Sequence, residues 1–173
     1  QCAVAGRADI MGLAGREAGS QVKFSGGTYS GHPASLLAAK ACLSYLIAHE
    51  DEIYPRLASL GDKLRHGLER AFAEEGIHAR CMGDGSQAIP GSSLFYLHFP
   101  FEENAQLGGP EDWFDPAVCD IALSQRVLDL ALLLEDVFVL RSHGCVSYAH
   151  SEADIDIFAA ACRRAARRIK PYM

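Results

Sequence analysis

Between Asp51 and Glu75 the apolar residues Ile53, Leu57, Leu60, Leu64, Leu68 and Phe72 recur at steps of three and four. That spacing lays them along one face of a helix, which Gly76 stops. An earlier helix is predicted from Pro33, a residue suited to a first helical turn, to about His49. A hairpin follows: Ile77 to Met82, a turn through Gly83-Asp84-Gly85 extending to Gly91, and Ser93 to Phe99. Leu94, Phe95, Tyr96, Leu97 and Phe99 make its second strand apolar on both faces. Such a strand needs cover on both sides, or cover on one and a ligand cavity on the other. Pro100 to Phe114, acidic and glycine-bearing, reads as a loop.

Asp115-Pro116 pairs an N-cap with a proline at the first helical position and predicts a helix to about Leu134. Asp136 to Leu140 reads as a strand with Cys145 to Tyr148 as its partner. Ser151-Glu152-Ala153-Asp154 is an N-cap with first-turn acids, opening a helix that buries Ile155, Phe158, Cys162, Ala165 and Ile169. At the other end, Cys2 to Ala5 reads as the end of a strand and Ala8 to Ala14 as a brief helical turn. Gly15 to Gly31 is a polar loop with five glycines, of a length that is usually functional or mobile. The fold expected is an α/β domain of the α+β kind, with helices on one face of a small sheet containing antiparallel pairs.

At 173 residues, 49% hydrophobic and 22% charged, the chain suits one globular core. A net charge of −6 offers no basic footprint for nucleic acid. Arg163, Arg164, Arg167 and Arg168 read instead as the solvated last turns of a helix, where cations suit the negative end of the dipole. Leu128 to Leu140 is broken by Asp129, Glu135 and Asp136, so no membrane span is expected. Cys2, Cys42, Cys81, Cys119, Cys145 and Cys162 contain no C-x-x-C pair and read as buried free thiols in a reducing cytoplasm. His143, Cys145 and His150 match no standard zinc spacing, so no metal is expected.

The candidate chemistry lies in Phe24 to Pro33, which runs Phe-Ser-Gly-Gly-Thr-Tyr-Ser-Gly-His-Pro. Glycines let the backbone approach a ligand closely, and Thr28 and Ser30 add hydroxyls beside exposed N–H groups, so the run reads as an anion-binding loop. A plain turn leading into a helix is the competing reading of the same glycines. Lys23 lies close to the loop but nothing around it argues for the burial that activates a lysine. His32 and His98 suit capping or packing more than chemistry.

Gly27-Thr28-Tyr29-Ser30-Gly31-His32-Pro33 also resembles the G-T-[YFL]-S-G-[NH]-P loop of class III pyridoxal-phosphate-dependent aminotransferases, particularly their glutamate-1-semialdehyde aminomutase-like branch. In the same order, Ala5 to Met11 resembles that family's "GGRREIM" hairpin and Val146 to Asp156 its "LSLAHTEEDID" segment. The resemblance implies the C-terminal portion of a fold-type-I transferase. Residues 1–31 would be the edge of the large domain, 32–49 the interdomain helix and 50–173 the small C-terminal domain. It implies pyridoxal 5'-phosphate as cofactor, with Gly27 and Thr28 reaching the phosphate bound in the neighbouring subunit, hence a homodimer with composite sites. The Schiff-base lysine would precede Gln1, leaving this chain without a catalytic residue and inactive alone.

Val139-Leu140-Arg141-Ser142 resembles the strand end at which many of these enzymes place an arginine for the substrate carboxylate. From the residues alone, Arg141 is equally a planar fork for a carboxylate or a member of a surface or structural ion pair. Ser142-His143-Gly144-Cys145 is shorter than the aminomutase "Q-F-E-A-G-F" stretch, so transfer and internal migration of an amino group both stay open. The function expected is part of a cytoplasmic enzyme moving an amino group on a small amino acid or amine. The alternative is a non-catalytic α/β dimerisation or interaction domain.

Overall fold

A computed structural model describes residues 6–14, 31–82 and 91–173. The strand expected over Cys2 to Ala5, most of the Gly15 to Gly31 loop and the Gly83-Asp84-Gly85 turn lie outside the described residues. The chain divides into two compact units, Gln1–Glu50 and Asp51–Met173.

In the first unit, α1 (Ala8–Met11) is the single helical turn expected, and α2 spans Pro33–Ala48. Pro33 occupies the first turn of α2, and the His32 imidazole accepts the Ser35 N–H at 3.4 Å as its cap. Leu36, Leu37, Leu43, Tyr45 and Ile47 are all exposed, and α2 buries no residue. Cys42 is exposed with them, as is Cys145 in the second unit, which corrects the expectation that these thiols are buried.

The second unit is built on an antiparallel sheet of order β1-β2-β3, from Arg80–Met82, Leu94–His98 and His143–Cys145. Helices α3 (Glu50–Ala73), α5 (Leu128–Leu133) and α6 (Glu152–Ile169) supply the core with Leu60, Leu64, Leu68, Phe72, Leu128, Leu132, Ile155, Cys162 and Ile169. These include most of the face read from the three- and four-residue spacing. Phe95, Leu97 and Phe99 meet them from the sheet, with Phe99 edge-on to Phe72 at 5.0 Å. Ser151 caps α6 reciprocally with Asp154, as its sequence anticipates. The small sheet of antiparallel pairs covered by helices is thus the expected fold class.

The helix predicted from Asp115-Pro116 begins later. Asp115 does accept a backbone N–H, that of Ala117 at 2.8 Å, but it closes a local turn there. The chain then pairs back on the end of β2, Asp120 N–H donating to the Phe99 carbonyl at 2.8 Å. Asp120 is the working cap, accepting Leu123 N–H at 2.8 Å ahead of a π-helical turn, Leu123–Val127, that leads into α5. Nor is Asp136 to Leu140 a strand. Asp136 turns left-handed (φ 59°) to end the α5 helix, and only Leu140 forms a bridge, to His143. Strand β3 therefore starts earlier than the Cys145 expected for it.

The arginines of α6 are not a freely solvated turn. Arg163 meets Glu74 at 2.6 Å and Arg167 meets Glu75 at 2.7 Å, while Arg164 and Arg168 both grip Glu135 at 2.5 and 2.8 Å. These pairs tie α6 to the chain just beyond α3 and α5. The two guanidiniums, Arg164 first, hold the Glu135 carboxyl below its ordinary range.

The other face of the sheet is covered by the segment read as a loop. Within it α4 (Pro110–Trp113) brings Trp113 to 5.4 Å from His98, and Phe114 lies 6.0 Å from Tyr96. The strand that is apolar on both faces is therefore packed on both. His98 is 2% exposed, its Nε2 has no hydrogen-bond partner, and burial pushes its imidazole down to about 4. Between that value and the unfolded one of about 6.5, the unfolded chain binds more protons, so stability must fall as the pH drops through this window. We expect a loss of about 2 kcal/mol between pH 7 and pH 4.5, measured by urea unfolding. Substituting His98→Phe should flatten that part of the profile. An unchanged pH slope in the variant would show that His98 is not the group responsible.

Candidate functional site

The sequence-predicted site residues fall in different units. Gly27 and Thr28, with Lys23, lie outside the described residues. What is described is the end of their loop: Gly31 has φ 77°, a conformation that L side chains rarely adopt, with open space where a Cβ would stand. The chain then enters α2 directly through His32 and Pro33.

Arg141 sits in the second unit, in a turn between Leu140 and β3. Its backbone has φ 51° and that of Ser142 has φ 58°, so two consecutive non-glycine residues are left-handed. This conformation is uncommon for side-chain-bearing residues and persists only where neighbours impose it. Asp129, in α5, accepts the Arg141 N–H at 2.8 Å through one carboxylate oxygen and the Ser142 N–H at 3.2 Å through the other. The Ser142 hydroxyl donates to the Ser124 carbonyl in the π-helical turn, and the Ser142 carbonyl accepts the Leu97 N–H of β2 at 2.9 Å. Ser142 is 1% exposed, whereas Arg141 is exposed. Sequence reasoning had no signal for this turn, because Arg and Ser are residues that a left-handed position disfavours.

Among the described residues the Arg141 guanidinium forms no ion pair. The structural ion-pair reading therefore has no partner there. Tyr96 is close enough to feel its charge: burial raises the phenol, and Arg141 opposes that rise. His143 adds an imidazole 5.5 Å from the Tyr96 ring. A cation on a fixed backbone, beside a phenol and an imidazole, can take up a small carboxylate by a forked hydrogen bond. An apolar groove of about 460 Å³, lined by Phe95, Val139, Leu140, Ile155 and Phe158, lies towards α6. Phe95 and Tyr96 point to opposite faces of β2, so this groove is on the side of the sheet away from Tyr96.

Among the described residues no group of three or more His, Cys, Asp and Glu could hold a metal ion, and no described helix is long and apolar enough to cross a membrane. Cys81, Cys119 and Cys162 are buried, with burial pushing the Cys162 thiol up to about 12, so they are inert packing groups.

No model of a known protein family matches the chain. It is similar to the glutamate-1-semialdehyde 2,1-aminomutase of Halobacterium salinarum, at 33% identity over 155 residues, 77% of this chain and 32% of that protein. The enzyme of the same name from Halorubrum lacusprofundi is 29% identical over 159 residues, 82% of this chain and 35% of that protein. Among solved structures, a beta-phenylalanine aminotransferase from Variovorax paradoxus superposes with a TM-score of 0.71 and 28% identity, over 96% of this chain and 35% of that one. An omega-transaminase from Sphaerobacter thermophilus gives 0.68 and 25%, over 94% and 34%. The chain spans about a third of the length of these relatives.

Proposed function

We propose, for a chain that belongs to the class III pyridoxal-phosphate-dependent aminotransferase family and covers the C-terminal portion of its members, that it works as part of an enzyme moving an amino group on an amino acid or amine. The observation that carries this reading is the agreement of sequence and fold: 33% identity over 77% of the chain, and a TM-score of 0.71 over 96% of it. In this reading residues 1–31 edge the cofactor-binding domain, 32–49 link it to the small domain, and 50–173 form the small domain. The enzyme is a cytoplasmic homodimer with composite sites, and the lysine that holds the cofactor covalently lies in sequence outside this chain.

Gly27 and Thr28 are the residues that would hold the cofactor's phosphate. A dianion that leaves water needs charge-assisted donors in its place, which two successive N–H groups and a hydroxyl supply, and the left-handed exit at Gly31 fits such a turn. When bound, pyridoxal phosphate supplies the electron sink for the bonding electrons released at the amino-bearing carbon. Arg141 would bind the substrate's carboxylate, its fork giving two parallel hydrogen bonds that fix the amino group's approach. Transfer between molecules and migration within one are both compatible with these roles.

Two measurements on the enzyme that carries this chain test the reading. Thr28→Ala removes a hydrogen bond to a charged group, a contribution of about 1.5–3 kcal/mol, so the Kd for pyridoxal phosphate should rise by roughly one to two orders of magnitude. An unchanged Kd would remove Thr28 from the phosphate site. Arg141→Lys should lower kcat/KM for a carboxylate-bearing donor by about 2–4 kcal/mol of transition-state free energy, and far less for a simple amine. Equal losses for both donors would make Arg141 structural.

A further inference from the structure

We propose that Asp129 is the positioning residue of this site: its carboxylate holds the left-handed backbone from which Arg141 is presented. The proposal rests on the reading of Arg141 as the carboxylate-binding group.

The geometry is specific. Each Asp129 oxygen serves one N–H of the turn, Oδ2 that of Arg141 at 2.8 Å and Oδ1 that of Ser142 at 3.2 Å. The carboxylate thus spans the two residues whose φ values of 51° and 58° oppose the preference of L side chains. Gly144 stands two residues later, so glycine was not placed where the backbone most needs it. An acceptor supplied from α5 does the work instead.

The surroundings fit the same role. Among the described residues Asp129 joins no ion pair, neither with Arg141 nor with any other cation, so its charge is committed to the turn's N–H groups. The guanidinium is left for a ligand. The π-helical turn Leu123–Val127 ends immediately before α5, and its extra residue rotates every later position by about 100° relative to an uninterrupted α-helix. That rotation sets the angle at which Asp129 meets the turn, while the same π turn offers the Ser124 carbonyl to the Ser142 hydroxyl. Two contacts from one helix, a carboxylate to the backbone and a carbonyl to the side chain, fix the residue next to Arg141.

The test has two arms. In this chain, Asp129→Ala should speed hydrogen exchange at the Arg141 and Ser142 amides by about tenfold or more while the amides of α6 keep their protection. In the enzyme that carries the chain, Asp129→Ala should raise KM for a carboxylate-bearing donor by about ten- to a hundredfold, with a much smaller effect on kcat and on a simple amine donor. Unchanged exchange at the two amides, or equal losses for both donors, would overturn the proposal. If Arg141→Lys itself fails to separate the donors, the reading of Arg141 falls, and the exchange arm alone still decides whether Asp129 holds the turn.

Discussion

The second unit depends on how strand β2 is held where it begins. Arg65 of α3, 4% exposed, sends one guanidinium nitrogen to the carbonyls of Ser92 and Leu94 at 2.9 and 2.8 Å, and Asp62 pairs with the other. The approach is so close that a Cβ on Gly61 would clash with the Ser92 oxygen. A buried charge is tolerable there because its hydrogen bonds are satisfied. With the entry of β2 fixed to α3, its alternation sends Phe95 and Leu97 into the core and Tyr96 and His98 to the other face. The Leu97 N–H then fastens the Ser142 carbonyl, so the candidate site inherits its position from the same strand.

Sequence periodicity read the long helices well because their information is local. The apolar steps along α3, Pro33 at the start of α2 and the Ser151-Asp154 box all operate within a few residues. The errors arise where distant partners decide. Asp115-Pro116 has every local mark of a helix start, yet the chain must first pair Asp120 N–H with Phe99, so the helix waits for Asp120 to cap it. Asp136 to Leu140 has strand composition, but the left-handed Asp136 redirects it, and among the described residues only Leu140 pairs, in a single bridge to His143. Glutamates 74, 75 and 135 look unremarkable in sequence and turn out to be the partners of the α6 arginines.

The candidate site divides in the same way. The proposal for Gly27 and Thr28 rests on consecutive residues, a glycine pair beside a hydroxyl, and these lie outside the described residues. Arg141 is legible as a cation at the end of an apolar run. What sets its backbone is not, because the carboxylate that clasps the turn is twelve residues earlier, on a helix whose π turn no composition rule anticipates. Left-handed backbone at two side-chain-bearing residues, stabilised from outside the turn, is a feature that only the folded chain reveals.

The central claim is that the clasped turn delivers Arg141 to a carboxylate. Its most direct test is a crystal structure of the enzyme that carries this chain with a non-reacting, carboxylate-bearing donor analogue. The account predicts both carboxylate oxygens within about 2.7–2.9 Å of the Arg141 guanidinium, the turn still left-handed and still held by Asp129. A carboxylate bound by other groups, with Arg141 turned to solvent or paired with a protein carboxylate, would contradict it.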